Sequence, residues 1–121
     1  MTADVLVVDD DPGIRMVLAD MLELEGYTVR TASDGIEALE RCEAQTPDLM
    51  ILDLMMPRLD GMGVIGALTE RGLRERFPVL VLTARHGGCA QLRGTVEDCA
   101  EKPFDIDEVL ARIARLLPAA T

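Results

Sequence analysis

Long hydrophobic runs, a surplus of basic residues and an export signal are all missing from this sequence. No apolar run approaches the ~20 residues that a membrane-spanning helix needs. The start, Met1-Thr2-Ala3-Asp4, has neither the basic residues nor the apolar stretch of a secretion signal. Lys and Arg number 12 against 22 Asp and Glu, which gives a formal net charge of −10. This balance argues against nucleic acid and anionic membranes as direct partners, because both attract basic patches.

Cysteine and histidine are scarce. The three cysteines, Cys42, Cys89 and Cys99, form no C-x-x-C pair, and any disulfide scheme leaves one of them unpaired. We therefore expect small buried or half-buried thiols that are reduced, as in a cytosolic protein. The single histidine, His86, is followed by two glycines and is expected in a loop. One histidine with these cysteine spacings cannot form a zinc site.

The length and the apolar content fit one folded domain. Of the 121 residues, 49% are hydrophobic, which is enough for one packed core, and the chain is too short for two domains. We predict that the domain spans residues 1–117, and that residues 118–121 form a frayed tail or the start of a linker.

Short apolar runs alternate with amphipathic stretches along the chain. The runs predict strands at residues 5–8, 28–32, 49–52, 79–82 and 96–100, each followed by a helix. The third helix is predicted over roughly 62–71, and the fourth, within 89–94, is short. Five strands alternating with five helices predict an α/β fold with a parallel sheet covered on both faces. Ligands of such sheets bind beyond the carboxyl ends of the strands.

Chemically distinctive side chains stand at the ends of these predicted strands. Asp9 and Asp10 follow the first strand, Asp53 the third, Thr83 the fourth and Lys102 the fifth. A carboxylate is a nucleophile for phosphorus, and neighbouring carboxylates hold Mg²⁺. A hydroxyl and an ammonium group stabilise the phosphoryl oxygens. The set therefore predicts phosphoryl-transfer chemistry at one edge of the sheet.

The acidic side chains at this edge need a counter-charge. Two unit charges ~4 Å apart repel by roughly 4 kcal/mol at an effective dielectric of ~20. A hard divalent cation offsets such repulsion, and Mg²⁺ is held by few carboxylates while sharing its other positions with water and phosphate oxygens. We therefore predict Mg²⁺ as the cofactor.

Four motifs occur in order at the strand ends, and any one of them alone would be a weak indication. They are VDDDP at residues 8–12, DLMMPRLDG at 53–61, LTA at 82–84 and EKPF at 101–104. Together they resemble the bacterial two-component response-regulator receiver domain, of the chemotaxis-type receiver family, over essentially the whole chain. The resemblance implies a flavodoxin-like (βα)5 doubly wound sheet with strand order 2-1-3-4-5. It also implies a cytoplasmic signalling switch that is not a turnover enzyme.

The resemblance assigns roles to individual residues. It implies that Asp53 accepts a phosphoryl group from a histidine kinase or a histidine phosphotransfer protein. The metal ligands would be Asp10, Asp53 and the backbone carbonyl of Met55, with Asp9 acting through water. Asp11 is expected only to cap the helix that follows it.

Further expectations concern the switch. By the same resemblance, Thr83 would swing toward the phosphoryl group and Lys102 would pair with it. The bond between Lys102 and Pro103 is often cis in this family. A homodimer could form through the face made by the fourth helix, the fifth strand and the fifth helix. No nucleic acid and no membrane is expected as a partner of this chain.

The chain departs from the family between Thr83 and Lys102. This stretch is a few residues shorter than in receivers generally, and residues 95–98 replace the expected Gly-Ala-containing turn. The fourth helix is therefore expected to be short or displaced. Many receivers carry Tyr or Phe three residues before the lysine, where this chain has Cys99. We expect phosphorylation chemistry to persist while its structural readout on this face is altered.

Two other functions stay open at this point. A phosphorylation-independent interaction domain could share the fold, and the altered fourth helix keeps this alternative in play. The run Asp9-Asp10-Asp11 after an apolar strand also fits a Mg²⁺-dependent phosphatase of the haloacid-dehalogenase type, with Asp9 as the nucleophile. That fold needs a longer chain and a further acidic pair, which Asp105 and Asp107 imitate poorly.

Overall fold

Five parallel strands form a single sheet in the computed structural model, which describes residues 2–117. The strands are β1 (Asp4–Val8), β2 (Thr28–Ala32), β3 (Leu49–Leu52), β4 (Val79–Thr83) and β5 (Asp98–Glu101). Their order across the sheet is β2-β1-β3-β4-β5, and every neighbouring pair is parallel. The predicted flavodoxin-like strand order is confirmed. The predicted tail at 118–121 lies outside the described residues.

Four α-helices connect and cover the strands in the described part of the chain. They are α1 (Pro12–Leu24), α2 (Gly35–Ala44), α3 (Gly61–Glu70) and α4 (Ile106–Leu116). Each begins after an aspartate whose carboxylate accepts a backbone N–H of the first turn. The first of these is Asp11, whose expected capping role is confirmed by hydrogen bonds from Gly13 and Ile14. None of the helices described is both long enough and apolar enough to cross a bilayer.

The helix expected between β4 and β5 is reduced to a single 3₁₀ turn at Ala90–Leu92. The described chain therefore has four α-helices where the sequence predicted five, and the predicted shortening of the fourth is confirmed. Gly87 and Gly94 flank the turn with φ angles of 78° and 80°, a left-handed conformation that ends a helix on either side. The fifth strand also begins later than predicted, at Asp98, because residues 95–97 still belong to the connection.

Two apolar clusters cover the two faces of the sheet. In β1, Val5 and Val7 face the cluster that contains α1 and α4, while Leu6 and Val8 face the one that contains α2 and α3. Burial on both faces explains why the central strands are apolar throughout and do not alternate with polar residues. Cys42 of α2 lies in the cluster that contains α2 and α3, where burial raises the pKa of its thiol to about 11. Its predicted role as a buried thiol is confirmed.

The other two cysteines are joined, which corrects the expectation of reduced thiols. The Sγ atoms of Cys89 and Cys99 are bonded, and their Cα atoms are 5.5 Å apart. Cys89 precedes the 3₁₀ turn and Cys99 lies in β5, so the pair forms because the connection folds back along the edge strand. Sequence spacing carried no indication of this contact, since it depends on how the connection returns to the sheet.

Gly61 sets how closely α3 approaches the end of β3. A Cβ atom at this position would lie 2.6 Å from the carbonyl oxygen of Asp53 and 2.7 Å from Cα of Leu54. Both of these are backbone atoms, which cannot give way as the end of a flexible side chain can. Gly66, in the same helix, has nothing within 4 Å of the equivalent position.

We expect Gly61→Ala to lower the free energy of unfolding by about 1–3 kcal/mol, since an extra methyl group in a packed contact forces the backbone to move. Gly66→Ala is the matched control and is expected to raise it by roughly 0.5–1 kcal/mol, because alanine is the better helix former. Urea unfolding of both variants measures the difference. Equal shifts in the two variants would show that the contact at Gly61 is not restrictive.

Candidate functional site

The carboxyl ends of the strands bring the predicted site residues to one edge of the sheet. The N–H of Asp53 donates to the carbonyl oxygen of Val8 at 3.0 Å, and the N–H of Lys102 donates to the carbonyl oxygen of Thr83 at 2.7 Å. The N–H of Asp9 donates to the carbonyl oxygen of Ala32 at 3.2 Å. Parallel pairing thus continues into the site residues, so their backbones are fixed by the sheet.

Three carboxylates converge at this edge. Asp9, Asp10 and Asp53 each offer one oxygen, and these oxygens all lie within 4.8 Å of one another. Asp9 and Asp53 are only 3% and 5% exposed, whereas Asp10 is open to solvent. A small set of oxygen donors with one open side suits a hard cation that keeps part of its water shell, as Mg²⁺ does. The donor set therefore fits the predicted metal.

One ammonium group stands against these carboxylates. Nζ of Lys102 lies 2.8 Å from Oδ2 of Asp9 and 3.7 Å from Oδ2 of Asp53. Its closest partner is therefore Asp9, whereas sequence analysis assigned it to the phosphoryl group on Asp53. The peptide bond that follows, between Lys102 and Pro103, is cis, as the resemblance led us to expect. A single positive charge leaves the three carboxylates incompletely balanced.

The pKa of Asp53 is raised by this environment. Burial is the largest cause, because it disfavours the charged form, and the charge of Asp9 adds to it. Lys102 and the backbone N–H of Met55, which donates to Oδ1 of Asp53 at 3.3 Å, offset part of the effect and lower the pKa. The Asp53 carboxylate is thus less well solvated than an ordinary one and is poised to bind a cation or an electrophile.

Thr83 completes the group from the end of β4. Its side chain is fully buried, and Oγ1 accepts the backbone N–H of Arg85 at 3.0 Å. The hydroxyl hydrogen is not engaged by this bond, so it is available to donate. Gly88 passes close by, since a Cβ atom there would lie 3.3 Å from the Thr83 methyl group.

Two arginines support the site, and sequence analysis did not identify either of them. Nη1 of Arg15, on α1, donates to the carbonyl oxygen of Asp9 at 2.7 Å. Arg58, with a left-handed φ of 67°, donates through Nε to the buried carboxylate of Asp34 at 3.0 Å. The N–H of Glu37 and the Arg58 guanidinium hold the pKa of Asp34 below its usual value. This pair fixes the loop after Asp53 to the start of α2.

A comparison with known families identifies one match. A family model described as the response regulator receiver domain matches residues 5–114. The response regulator MprA of Mycobacterium ulcerans is 44% identical over 120 residues, covering 97% of this chain and 51% of the relative. MprA of Mycobacterium leprae is 44% identical over 116 residues, with 93% and 50% covered. The chain therefore spans about half the length of the curated relatives it matches.

Solved structures of similar fold cover nearly the whole chain. The chemotaxis protein CheY4 of Vibrio cholerae superimposes with a TM-score of 0.87 at 30% identity, over 97% of this chain and 100% of that one. The response regulator TrrA of Thermotoga maritima, solved in complex with Mg²⁺-BeF, gives a TM-score of 0.84 at 34% identity with the same coverage.

The acidic cluster predicts that Asp53→Asn stabilises the metal-free protein. The substitution removes a buried charge that Asp9 and Asp10 repel, while the amide keeps the size of the side chain. We expect a higher urea midpoint than in the wild type, measured in the presence of a chelator. Asp20→Asn, on the exposed side of α1, removes the same charge away from the cluster and should leave the midpoint nearly unchanged.

The stabilisation should depend on pH with a defined sign. Because the pKa of Asp53 is raised on folding, the folded protein holds the Asp53 proton more tightly than the unfolded chain does. Below pH 3.8, the usual pKa, Asp53 is protonated in both states and its buried charge costs no stability. The loss of stability caused by the charged Asp53 grows as the pH rises through the folded pKa, and above that pKa it is constant. The difference in unfolding free energy between Asp53→Asn and wild type should follow this course. A difference that shrinks as the pH rises would contradict the assignment.

Proposed function

The chain belongs to the response regulator receiver domain family of two-component signalling, and from this premise we propose that Asp53 is its phosphoacceptor. The observation that supports the proposal most directly is the convergence of Asp9, Asp10 and Lys102 on the buried Asp53 carboxylate. Receiver domains are signalling switches, and we propose the same for this chain. A finer assignment to the chemotaxis-type receivers is likewise part of the proposal, motivated by the similarity to CheY4.

The proposed reaction transfers a phosphoryl group between two proteins. An oxygen of the Asp53 carboxylate attacks the phosphorus of a phosphohistidine on a histidine kinase or a histidine phosphotransfer protein. The bond between phosphorus and the histidine nitrogen breaks, its electron pair stays on nitrogen, and a bond between oxygen and phosphorus forms. The product is an acyl phosphate on Asp53. No proton has to leave Asp53, because it reacts as the carboxylate.

The raised pKa of Asp53 is consistent with this role. Burial and the neighbouring acids leave the carboxylate poorly stabilised, which makes its oxygen more basic and a better nucleophile. The acyl phosphate that forms is a mixed anhydride with more negative charge, which Lys102 and the proposed cation would offset. Lys102 would turn from Asp9 toward the incoming phosphoryl oxygens. This movement is short, because Nζ of Lys102 already lies 3.7 Å from Oδ2 of Asp53. The Thr83 hydroxyl would donate to another of these oxygens, after Thr83 swings toward Asp53.

A divalent cation is proposed to be held by Asp10, Asp53 and the backbone carbonyl of Met55, with Asp9 acting through water. When bound, it would neutralise the charge on the phosphoryl oxygens. Receiver domains bind Mg²⁺ at an acidic pocket, and the three converging carboxylates support the same cofactor here.

The phosphorylated state is proposed to end by hydrolysis at Asp53, without turnover of a separate substrate. Water reaches the site past the exposed side of the cluster, where Asp10 and the Met55 side chain face solvent. Response regulators act with histidine kinases, and we propose a cytoplasmic kinase domain as the donor and the cytoplasm as the compartment. Neither nucleic acid nor membrane is proposed to bind this part of the chain, given its net charge of −10.

A homodimer is proposed through the face made by the connection between β4 and β5, by β5 itself and by α4. This is the surface that sequence analysis described as fourth helix, fifth strand and fifth helix. It carries alternating charges, because Arg112 of α4 pairs with both Asp98 of β5 and Glu108. Charges of both signs on such a face can set the orientation of two docked copies, although they add little affinity by themselves.

Intact mass measured after incubation with Mg²⁺ and acetyl phosphate tests the proposed acceptor. We expect one phosphoryl adduct on the wild type and on the surface control Asp20→Asn, and none on Asp53→Asn, since an amide does not form the acyl phosphate. Omission of Mg²⁺ should abolish the adduct on the wild type as well.

The other outcomes of this experiment identify the alternatives. A wild type that takes up no phosphoryl group would favour the phosphorylation-independent interaction domain. Label that persists in Asp53→Asn, or steady release of phosphate, would favour the phosphatase with Asp9 as nucleophile.

A further inference from the structure

The connection from β4 to β5, residues 84–97, is closed into a ring with the edge strand. It begins directly after Thr83, and the Cys89–Cys99 disulfide joins it to β5. Cys99 is paired in register with Val81, so one sulfur belongs to the sheet and the other to the connection. We call residues 84–97 the β4–β5 segment.

We propose that Cys89 and Cys99 are a reversible thiol–disulfide site, which reacts with small disulfides and thiols and which controls the mobility of the β4–β5 segment. Three features of the described residues support it: the accessibility of the pair, the independence of the core from the bond, and the position of the ring beside the site.

The pair is only partly buried. Cys89 and Cys99 are both half-buried, and the exposed residues 84–87 lie close to Cys89 in the chain, separated from it by the buried Gly88. Partial exposure is what attack by a small thiol or disulfide requires. Cys42 differs in both respects, because it is 1% exposed and burial raises the pKa of its thiol to about 11. Since the thiolate is the reactive form, Cys42 is expected to be inert under conditions where the pair reacts.

The fold does not depend on the disulfide for its core. Strand β5 remains paired with β4 from Asp98 to Glu101, and Leu92 is buried in the cluster below the sheet. At the far end of the segment, Arg74 donates to the carbonyl oxygen of Thr95 at 2.8 Å and to Glu97 at 2.9 Å. Reduction would therefore leave residues 92–97 anchored and loosen the part around Cys89.

Apart from the disulfide, that part of the segment is held by hydrogen bonds between near neighbours and by weak contacts to β5. The N–H of Arg85 donates to Oγ1 of Thr83 at 3.0 Å, and the N–H of Gly88 donates to the carbonyl oxygen of Arg85 at 3.0 Å. The N–H of Gly87 donates to a carboxylate oxygen of Glu101 at 3.3 Å, and His86 approaches the other at 3.5 Å with its side chain fully exposed. Contacts of this kind between exposed groups contribute little to stability. The disulfide is thus the strongest link between residues 84–91 and β5.

The ring also adjoins the carboxylate site. Thr83 stands immediately before the β4–β5 segment, and its hydroxyl accepts the N–H of Arg85, the second residue of that segment. Lys102 follows β5 shortly after Cys99. A bond between Cys89 and Cys99 therefore ties together the two stretches of chain from which Thr83 and Lys102 project. If Thr83 moves as proposed above, the redox state of the pair limits that movement; this clause alone rests on the proposed function.

The chemistry of the site is thiol–disulfide exchange with a small disulfide such as oxidised glutathione. The thiolate of one cysteine attacks a sulfur of the reagent, forms a mixed disulfide and expels one thiolate. The thiolate of the other cysteine then attacks the protein sulfur and expels the second. The protein dithiol is oxidised by two electrons, the reagent is reduced to two thiols, and the two protons lost by the cysteines pass to those products.

A redox titration of the folded protein tests the site. The chain is equilibrated with graded ratios of reduced to oxidised glutathione, alkylated with excess maleimide at neutral pH while still folded, and weighed. We expect two alkyl groups to appear together on Cys89 and Cys99 as the ratio rises, with none on Cys42 before denaturation. A pair that stays oxidised at every ratio would be a structural bond, and one that never oxidises would not be a site; both results would overturn the proposal.

Amide hydrogen exchange tests the consequence. Reduction should raise exchange in residues 84–91 by roughly tenfold or more, because opening of the segment is no longer opposed by the ring. Cys89→Ser should show the faster exchange under oxidising and reducing conditions alike, and Cys42→Ala should behave as wild type. Unchanged exchange on reduction would refute control of the segment. Neither measurement needs a phosphoryl group, so their outcome is separate from that of the Asp53 experiment.

Discussion

Repulsion among three carboxylates at one edge of the sheet is the constraint on which the rest of the site depends. Asp9 and Asp53 are buried and Asp10 adjoins them, yet Lys102 is the cation that contacts them. The sheet holds this arrangement in place, because the backbones of Asp9 and Asp53 remain bonded to neighbouring strands. Folding places Asp53 where its charged form is disfavoured, so its pKa is raised. Binding of a cation or of phosphorus to this carboxylate is favourable for the same reason.

The sequence predicted the parts of the molecule that are determined locally. The apolar runs located β1 to β4 within a residue or two, and Asp11 was recognised as a cap because capping involves neighbouring backbone groups. Motif order placed Asp9, Asp53, Thr83 and Lys102 at adjacent strand ends. Contacts that depend on tertiary packing were missed: Arg58 on Asp34, Arg15 on the Asp9 carbonyl, and Cys89 on Cys99. No spacing rule connects those residues.

The region between β4 and β5 shows how a short connection can replace a helix. Gly87 and Gly94 interrupt helical backbone on both sides of the 3₁₀ turn, and the only large apolar side chain it buries completely is Leu92. A helix here would have packed through several such residues. The disulfide substitutes for part of that packing, and it does so with a bond whose presence depends on the surroundings of the protein.

The order of the strands divides the site unequally across the sheet. The acidic groups belong to β1 and β3, which have neighbours on both sides, whereas Thr83 and Lys102 belong to β4 and to the edge strand β5. The carboxylates are thus held at the centre of the sheet, and Thr83 and Lys102, which would move toward a phosphoryl group, lie toward the β5 margin. Strand β2 and helix α2, at the opposite margin, contribute no responding group. Strand β2 is separated from β4 by β1 and β3, so a displacement of Thr83 or Lys102 has a short path to the surface at the β5 margin and a long path to the surface at the β2 margin.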